Sequence, residues 1–102
     1  MRTFKFEACY YEWHLIDADT GETLHNMVDA GEHCFDEAGI SLMWEEIESL
    51  CREELISADI AYSEKEEYNG ILLNNDKRLD QIEEIPVAAK LMADTLFDYY
   101  IQ

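Results

Sequence analysis

Proline occurs once and glycine four times in 102 residues. No Pro/Gly-rich linker or low-complexity tract can be built from so few, so the chain reads as one domain over residues 1–102. Long apolar runs are missing as well. No window approaches the roughly 18–20 apolar residues of a membrane span, and residues 1–6 lack a secretory apolar stretch, so the expectation is a soluble, cytoplasmic protein. Cysteine is sparse: Cys9, Cys34 and Cys51 are an odd, widely spaced set without a CxxC pair, which argues against a disulfide framework or a zinc ribbon. Cys9 and Cys51 sit among apolar residues and are expected in the core. Scarcest in relative terms is positive charge, with 7 Lys and Arg against 24 Asp and Glu, a formal net charge of −17 and a pI near 4.2. Such a surface repels phosphates and anionic lipids, which excludes direct nucleic-acid binding and docking on an anionic membrane.

What is present is a 48% hydrophobic, 12% aromatic composition, sufficient for a core. The acids are unevenly placed. No Lys or Arg occurs between Lys5 and Arg52, a stretch holding twelve acids, and the overlapping stretch from Glu32 to Glu67 again holds twelve, against only Arg52 and Lys65. Neighbouring salt bridges cannot neutralise such a region. The C-terminal third is milder, because Lys77, Arg78 and Lys90 offset part of its charge. A regional excess of this kind is what a directed electrostatic face requires.

Period-two alternation marks Phe4, Phe6 and Ala8 and then, in the opposite phase, Cys9, Tyr11, Trp13 and Leu15. The change of phase implies a β-bulge in one strand or two strands meeting at a kink. Residues 17–22 carry turn chemistry, and a further strand follows from Thr23 to Val28. Placing Leu15 opposite Leu24 and Tyr11 opposite Val28 gathers the apolar side chains on one face, and is the expected register. Ile40, Met43, Trp44, Ile47, Leu50, Cys51 and Leu55 recur at helical spacing, with Ser41 or Asp36 as N-cap and Glu54 as a misfit that suggests the helix ends nearby. Residues 58–62 and 71–73 are short strand candidates around Asn69-Gly70. Pro86 opens a final helix, apolar over about two-thirds of its circumference apart from Lys90, Asp94 and Asp98. The expected fold is α+β: a small antiparallel sheet built on an N-terminal β-hairpin, covered by two amphipathic helices. So apolar a last helix must pack on two sides or form a homodimer contact.

Signatures of catalysis are absent: there is no phosphate-binding glycine loop, dinucleotide motif or nucleophile elbow, and no cofactor is implied. The expected register sets His14 opposite His25, roughly 5 Å apart at Cβ. A small metal-binding protein using this pair is an alternative, but zinc needs a third protein ligand and usually a fourth, of which the neighbours Glu12, Ile16, Thr23 and Met27 supply at best one, and no metal site is expected. His33 and Cys34 are adjacent in sequence, so their side chains diverge and form no catalytic pair. The chain is expected not to be an enzyme.

Carboxylates three or four positions apart on a helix lie roughly 5–6 Å apart, comparable to phosphates along a strand. Glu45, Glu46, Glu48 and Glu53, followed by Glu64, Glu66 and Glu67, therefore form the candidate partner-binding face, with Tyr62 and Tyr68 as aromatic anchors. In size, charge and lack of signature the chain resembles the small acidic anti-CRISPR and antirestriction inhibitors of phages and mobile elements, and also the immunity or antitoxin proteins that neutralise basic nuclease toxins. The resemblance implies a protein inhibitor that mimics nucleic acid and occupies the positively charged site of a basic nucleic-acid-handling protein.

Overall fold

A computed structural model describes residues 2–64, 67–68, 71–72 and 79–102, with side chains for 2–58 and 79–102. Strands β1 (Phe4–Cys9), β2 (Glu12–Asp17) and β3 (Thr23–Val28) form an antiparallel sheet in sequence order. A short 3-10 helix (Ala30–Cys34) follows, then α1 (Trp44–Glu64), the small pair β4 (Glu67–Tyr68) and β5 (Ile71–Leu72), and finally α2 (Glu84–Tyr100). This is the α+β arrangement expected, with α2 packed against both α1 and β1.

The opposite phases of the first two apolar series are two strands folded back on each other. Cys9 pairs with Glu12, leaving Tyr10 and Tyr11 as a two-residue turn with Tyr10 at φ 56°. Both rings are in solvent, 98% and 92% exposed, so Tyr11 does not join the core face. Cys9 is also exposed, because it is the last β1 residue before this tip; Cys34 and Cys51 are the buried cysteines.

The second hairpin departs from the expected register by one residue. Ile16 pairs with Thr23 as expected, but Leu15 then faces His25, His14 faces Asn26, Trp13 faces Met27 and Glu12 faces Val28. Leu24 is the extra residue of a bulge, which reverses the phase of β3 and carries Met27 inward in place of Val28. Strict alternation favoured Leu24 and Val28 because it does not allow for such an insertion. The 17–22 turn forms as expected: Asp17 Oδ1 accepts the N–H groups of Asp19 and Thr20 at 2.9 and 3.2 Å, and Gly21 adopts φ 77°.

Helix α1 begins later and ends later than its apolar spacing predicts. Ser41 bridges Phe35 and Asp36 Oδ1 accepts the N–H groups of Ala38 and Ile40, so both serve a turned loop and neither caps the helix. Ile40 and Met43 are accordingly exposed. The buried stripe is Ile47, Cys51 and Leu55, and the helix continues through residues 58–62, which are not a strand. Ile71–Leu72 is a strand, while Leu73 and the Asn69-Gly70 turn lie outside the described residues.

Helix α2 turns Ile85, Ala88, Ala89, Met92, Ala93 and Leu96 into the core, where they meet Phe6, Trp13, Leu15 and Met27 of the sheet and the α1 stripe. Its small residues let the helices approach closely. Pro86 lies in its first turn, where a missing N–H costs nothing. Asp80 Oδ1 accepts the N–H groups of Ile82 and Glu83 ahead of the helix, and Glu84 accepts the Asp80 N–H in return at 2.9 Å. Glu84 is also gripped by Arg2, whose Nε and Nη2 donate to its two oxygens at 2.9 and 3.0 Å, joining the start of the chain to the start of α2.

Candidate functional site

The structure divides the carboxylates into those that hold the fold and those left in solvent. Asp17, Glu48, Glu54, Asp80, Glu84 and Asp94 each accept from a named partner: a turn backbone, Arg52, two histidines, a second turn, Arg2 and the Trp44 indole. Asp29, Glu32, Glu37, Glu45, Glu46 and Glu53 are exposed and take part in no ion pair among the described residues. Asp36 contributes one oxygen to its loop and is otherwise exposed.

This sorting changes the expected face. Glu45, Glu46 and Glu53 are free on α1, but Glu48 is half-buried and partly neutralised by Arg52 one turn away. Glu64 and Tyr62 fall in the last turn of α1, and Glu67 and Tyr68 form β4; their side chains, and all of Glu66, lie outside the described residues. The acids that sequence reasoning passed over are Asp29, Glu32, Asp36 and Glu37. Together with Phe35 and Tyr100 they line a groove of about 750 Å³ whose surface is mostly apolar. The available signal was the cation-free stretch between Lys5 and Arg52, whose middle these residues occupy.

Local sequence explains the shape of the groove. Gly31 lets the Tyr100 ring lie against the 3-10 helix, since a Cβ there would sit 3.2 Å from Tyr100 Cε1. The ring is fixed from behind: Trp13 Nε1 donates to Tyr100 Oη at 3.3 Å, and Tyr99 meets Tyr100 edge-on at 4.8 Å. Opposite, Phe35 is extended, and the loop after it is turned by Asp36 and by Gly39 at φ 79°. Trp44 Nε1 donates to Asp94 at 2.8 Å, which brings the start of α1, with Glu45 and Glu46, to the C-terminal half of α2.

A second constellation ties β3, the 3-10 helix and α1 together. His25 and His14 are on opposite faces of the sheet: His14 pairs with Asn26 across the strands and contacts Glu12 at 3.2 Å, whereas His25 faces inward with Leu15. The expected opposition of the two histidines is therefore not formed, because the Leu24 bulge intervenes, and the metal site that depended on it has no geometric basis. Instead His25 Nε2 meets Glu54 Oε2 at 2.7 Å and His33 Nε2 meets Glu54 Oε1 at 3.1 Å. Glu54, the misfit of the apolar arc, is the carboxylate that two imidazoles share. Burial alone would raise its pKa, but the hydrogen bonds of His25 and His33 and then their charges bring it down to about 2. His33 is raised, first by its bond to Glu54, against burial, and then by the Glu54 charge, the Asp29 backbone and Glu32. Its Nδ1 is buried without a partner of hydrogen-bond geometry.

The imidazoles address separate oxygens, and among the described residues no three His, Cys, Asp or Glu groups are placed to hold a metal. Cys34 and His33 diverge as expected, the thiol donating to the Ala30 carbonyl at 3.7 Å. Burial raises the Cys34 thiol and, helped by Glu54 and Cys34, pushes Cys51 up to about 12, so both stay protonated at neutral pH. No described helix is long and apolar enough to cross a membrane. Comparison with protein-family models, curated proteins and solved structures finds no match to this chain.

Proposed function

We propose that this protein is an acidic inhibitor that occupies a positively charged, nucleic-acid-binding site of a partner protein. The observation that carries the reading is the division of carboxylates: those needed by the fold are partnered, and a surplus in residues 29–46 stands exposed without a cation among the described residues. A net charge of magnitude about 2–8 keeps a small domain soluble, so the excess costs folding stability without a solubility return. The supporting arrangement is that Asp29, Glu32, Asp36 and Glu37 line one groove, while Glu45 and Glu46 stand in the first turn of α1. Acids held there by a rigid backbone present a preformed negative surface, which complements the cationic channel of a nucleic-acid-handling protein.

Two measurements test this together. Immobilised protein should retain a basic nucleic-acid-binding protein from its native host, and it should displace labelled nucleic acid from that partner in a competition titration. Glu37→Lys with Glu45→Lys should slow association and flatten its salt dependence, whereas Glu7→Lys with Asp19→Lys, on the sheet and its far turn, should not. A partner that binds this protein and its nucleic acid simultaneously, with no competition, would overturn the reading in favour of a contact away from the nucleic-acid site, as in an immunity protein.

A further inference from the structure

We propose, building on the inhibitor reading above, that the groove between the 3-10 helix, the loop after Phe35 and the last turn of α2 receives an arginine-bearing segment of the partner. Three features select that occupant. The first is an apolar, aromatic wall: Phe35 and Tyr100 offer ring surface, and Tyr100 is held in place by Trp13 behind it and by the absence of a side chain at Gly31. A guanidinium is planar and weakly hydrated, so it covers such surface at lower cost than an ammonium and gains a cation–π attraction.

The second feature is charge. Asp29, Glu32, Asp36 and Glu37 are among the lining residues, and the last turn of α2 carries no basic residue, so the negative end of that helix adds to their field. A neutral apolar segment would strip water from these carboxylates without compensation, and a polyanion would be repelled. An arginine supplies the counter-charge and forks onto a carboxylate while its stem lies on the rings. The third feature is size. A volume of about 750 Å³ exceeds one side chain and suits a short extended stretch, so the occupant is a segment of a protein and not a lone amino acid. Among the described residues the two arginines, Arg2 and Arg52, are already committed to Glu84 and Glu48.

The test uses the intact protein and three blocked pentapeptides, Gly-Arg-Gly-Arg-Gly and its lysine and citrulline counterparts, followed by amide and aromatic NMR shifts. The expected result is saturable shifts confined to Gly31, Phe35, Gly39 and the Tyr100 ring, with the lysine peptide about threefold to fivefold weaker and the citrulline peptide inactive. Glu32→Gln with Glu37→Gln, both exposed, should weaken the arginine peptide about tenfold, and Gly31→Ala, which displaces the Tyr100 ring, should erase the preference for arginine over lysine. Equal binding of arginine and lysine peptides, with shifts spread over all acidic surfaces, would overturn the proposal, as would concentration-dependent shifts of the groove in peptide-free protein that mark a second copy as its occupant. The two readings fail separately. If the peptide misses the groove while charge reversal at Glu45 and Glu46 abolishes partner competition, the groove assignment falls and the inhibitor reading stands. If the peptide seats in the groove but no partner is displaced from nucleic acid, the reverse holds.

Discussion

Replacing Glu54 by Gln removes one negative charge and almost no volume, yet it should destabilise a protein that suffers from too many negative charges. The magnitude follows from the clamp. Lowering the carboxyl from 4.5 to about 2 amounts to about 3 kcal/mol at about 1.4 kcal/mol per unit, but the side chain is 28% exposed and solvent screening reduces this to about 1–2 kcal/mol. The sign has a pH window. Glu54 has a lowered folded pKa, so its contribution is complete above its ordinary 4.5 and is lost as pH falls through about 2. His33 has a raised one, so its contribution is complete below its ordinary 6.5 and is lost as pH climbs through the folded value. Both are in force between 4.5 and 6.5. Urea denaturation at about pH 5.5 should therefore show a loss of about 1–2 kcal/mol for Glu54→Gln, or about 4–12 °C in Tm, and a smaller loss at about pH 9. Glu53→Gln, the exposed neighbour, removes the same charge without touching a histidine and serves as the reference. If the two variants behave alike, or if the Glu54→Gln loss is the same at both pH values, the imidazole clamp contributes nothing and the reasoning is refuted.

Arg2→Met should cost about 1–2 kcal/mol at neutral pH by leaving Glu84 without its fork. The Arg2 hydrogen bond is the main reason that carboxyl is lowered to about 2, so in an acid urea series the penalty should fade as pH drops from 4.5 through about 2; a constant penalty would count against it. At the hairpin tip, Tyr10→Gly should be more stable than Tyr10→Ala by about 1 kcal/mol, the reverse of the usual order, because the backbone there is left-handed; equal melting temperatures would mean that no strain is held at φ 56°. Raising sodium chloride from about 10 to about 500 mM should raise Tm by screening the exposed carboxylates, and an unchanged Tm would show that they do not repel one another appreciably.

How far the sequence discloses this protein can be judged from particular residues. The α2 stripe was legible because Ile85, Ala88, Met92 and Leu96 repeat without interruption from a proline-marked start. The first hairpin was half legible: alternation changes phase at Cys9 and Tyr10, but the tip uses two tyrosines, one in a conformation normally reserved for Gly or Asn, so no turn residue announces it. Leu24 misled the second hairpin, since a bulged leucine and a paired leucine look identical in a string of letters. Ile40 and Met43 extended the apparent helix because hydrophobic letters at helical spacing carry no mark of exposure. As for the site, the regional charge excess was legible and its location was not. Glu54 illustrates why: its partners His25 and His33 come from other elements, and only the folded chain reveals that the acid in an apolar arc is partnered.

The exposed acids are not equivalent as indicators of function, and the helix termini separate them. Glu45 and Glu46 lie in the first turn of α1, where the positive end of the helix stabilises negative charge by a few tenths of a kcal/mol each. They have a reason to be acidic in any protein. Around the groove the opposite holds: the last turn of α2 carries Asp98 and no cation, so Asp29, Glu32, Asp36 and Glu37 crowd against a helix end that already repels them. Folding alone would favour a lysine or arginine at such a place, and the chain has none in all the residues between Lys5 and Arg52. Four carboxylates kept where the fold gains least from them, over an aromatic wall held rigid by Trp13 and Gly31, are better accounted for by a cation that arrives from outside than by anything the chain needs for itself.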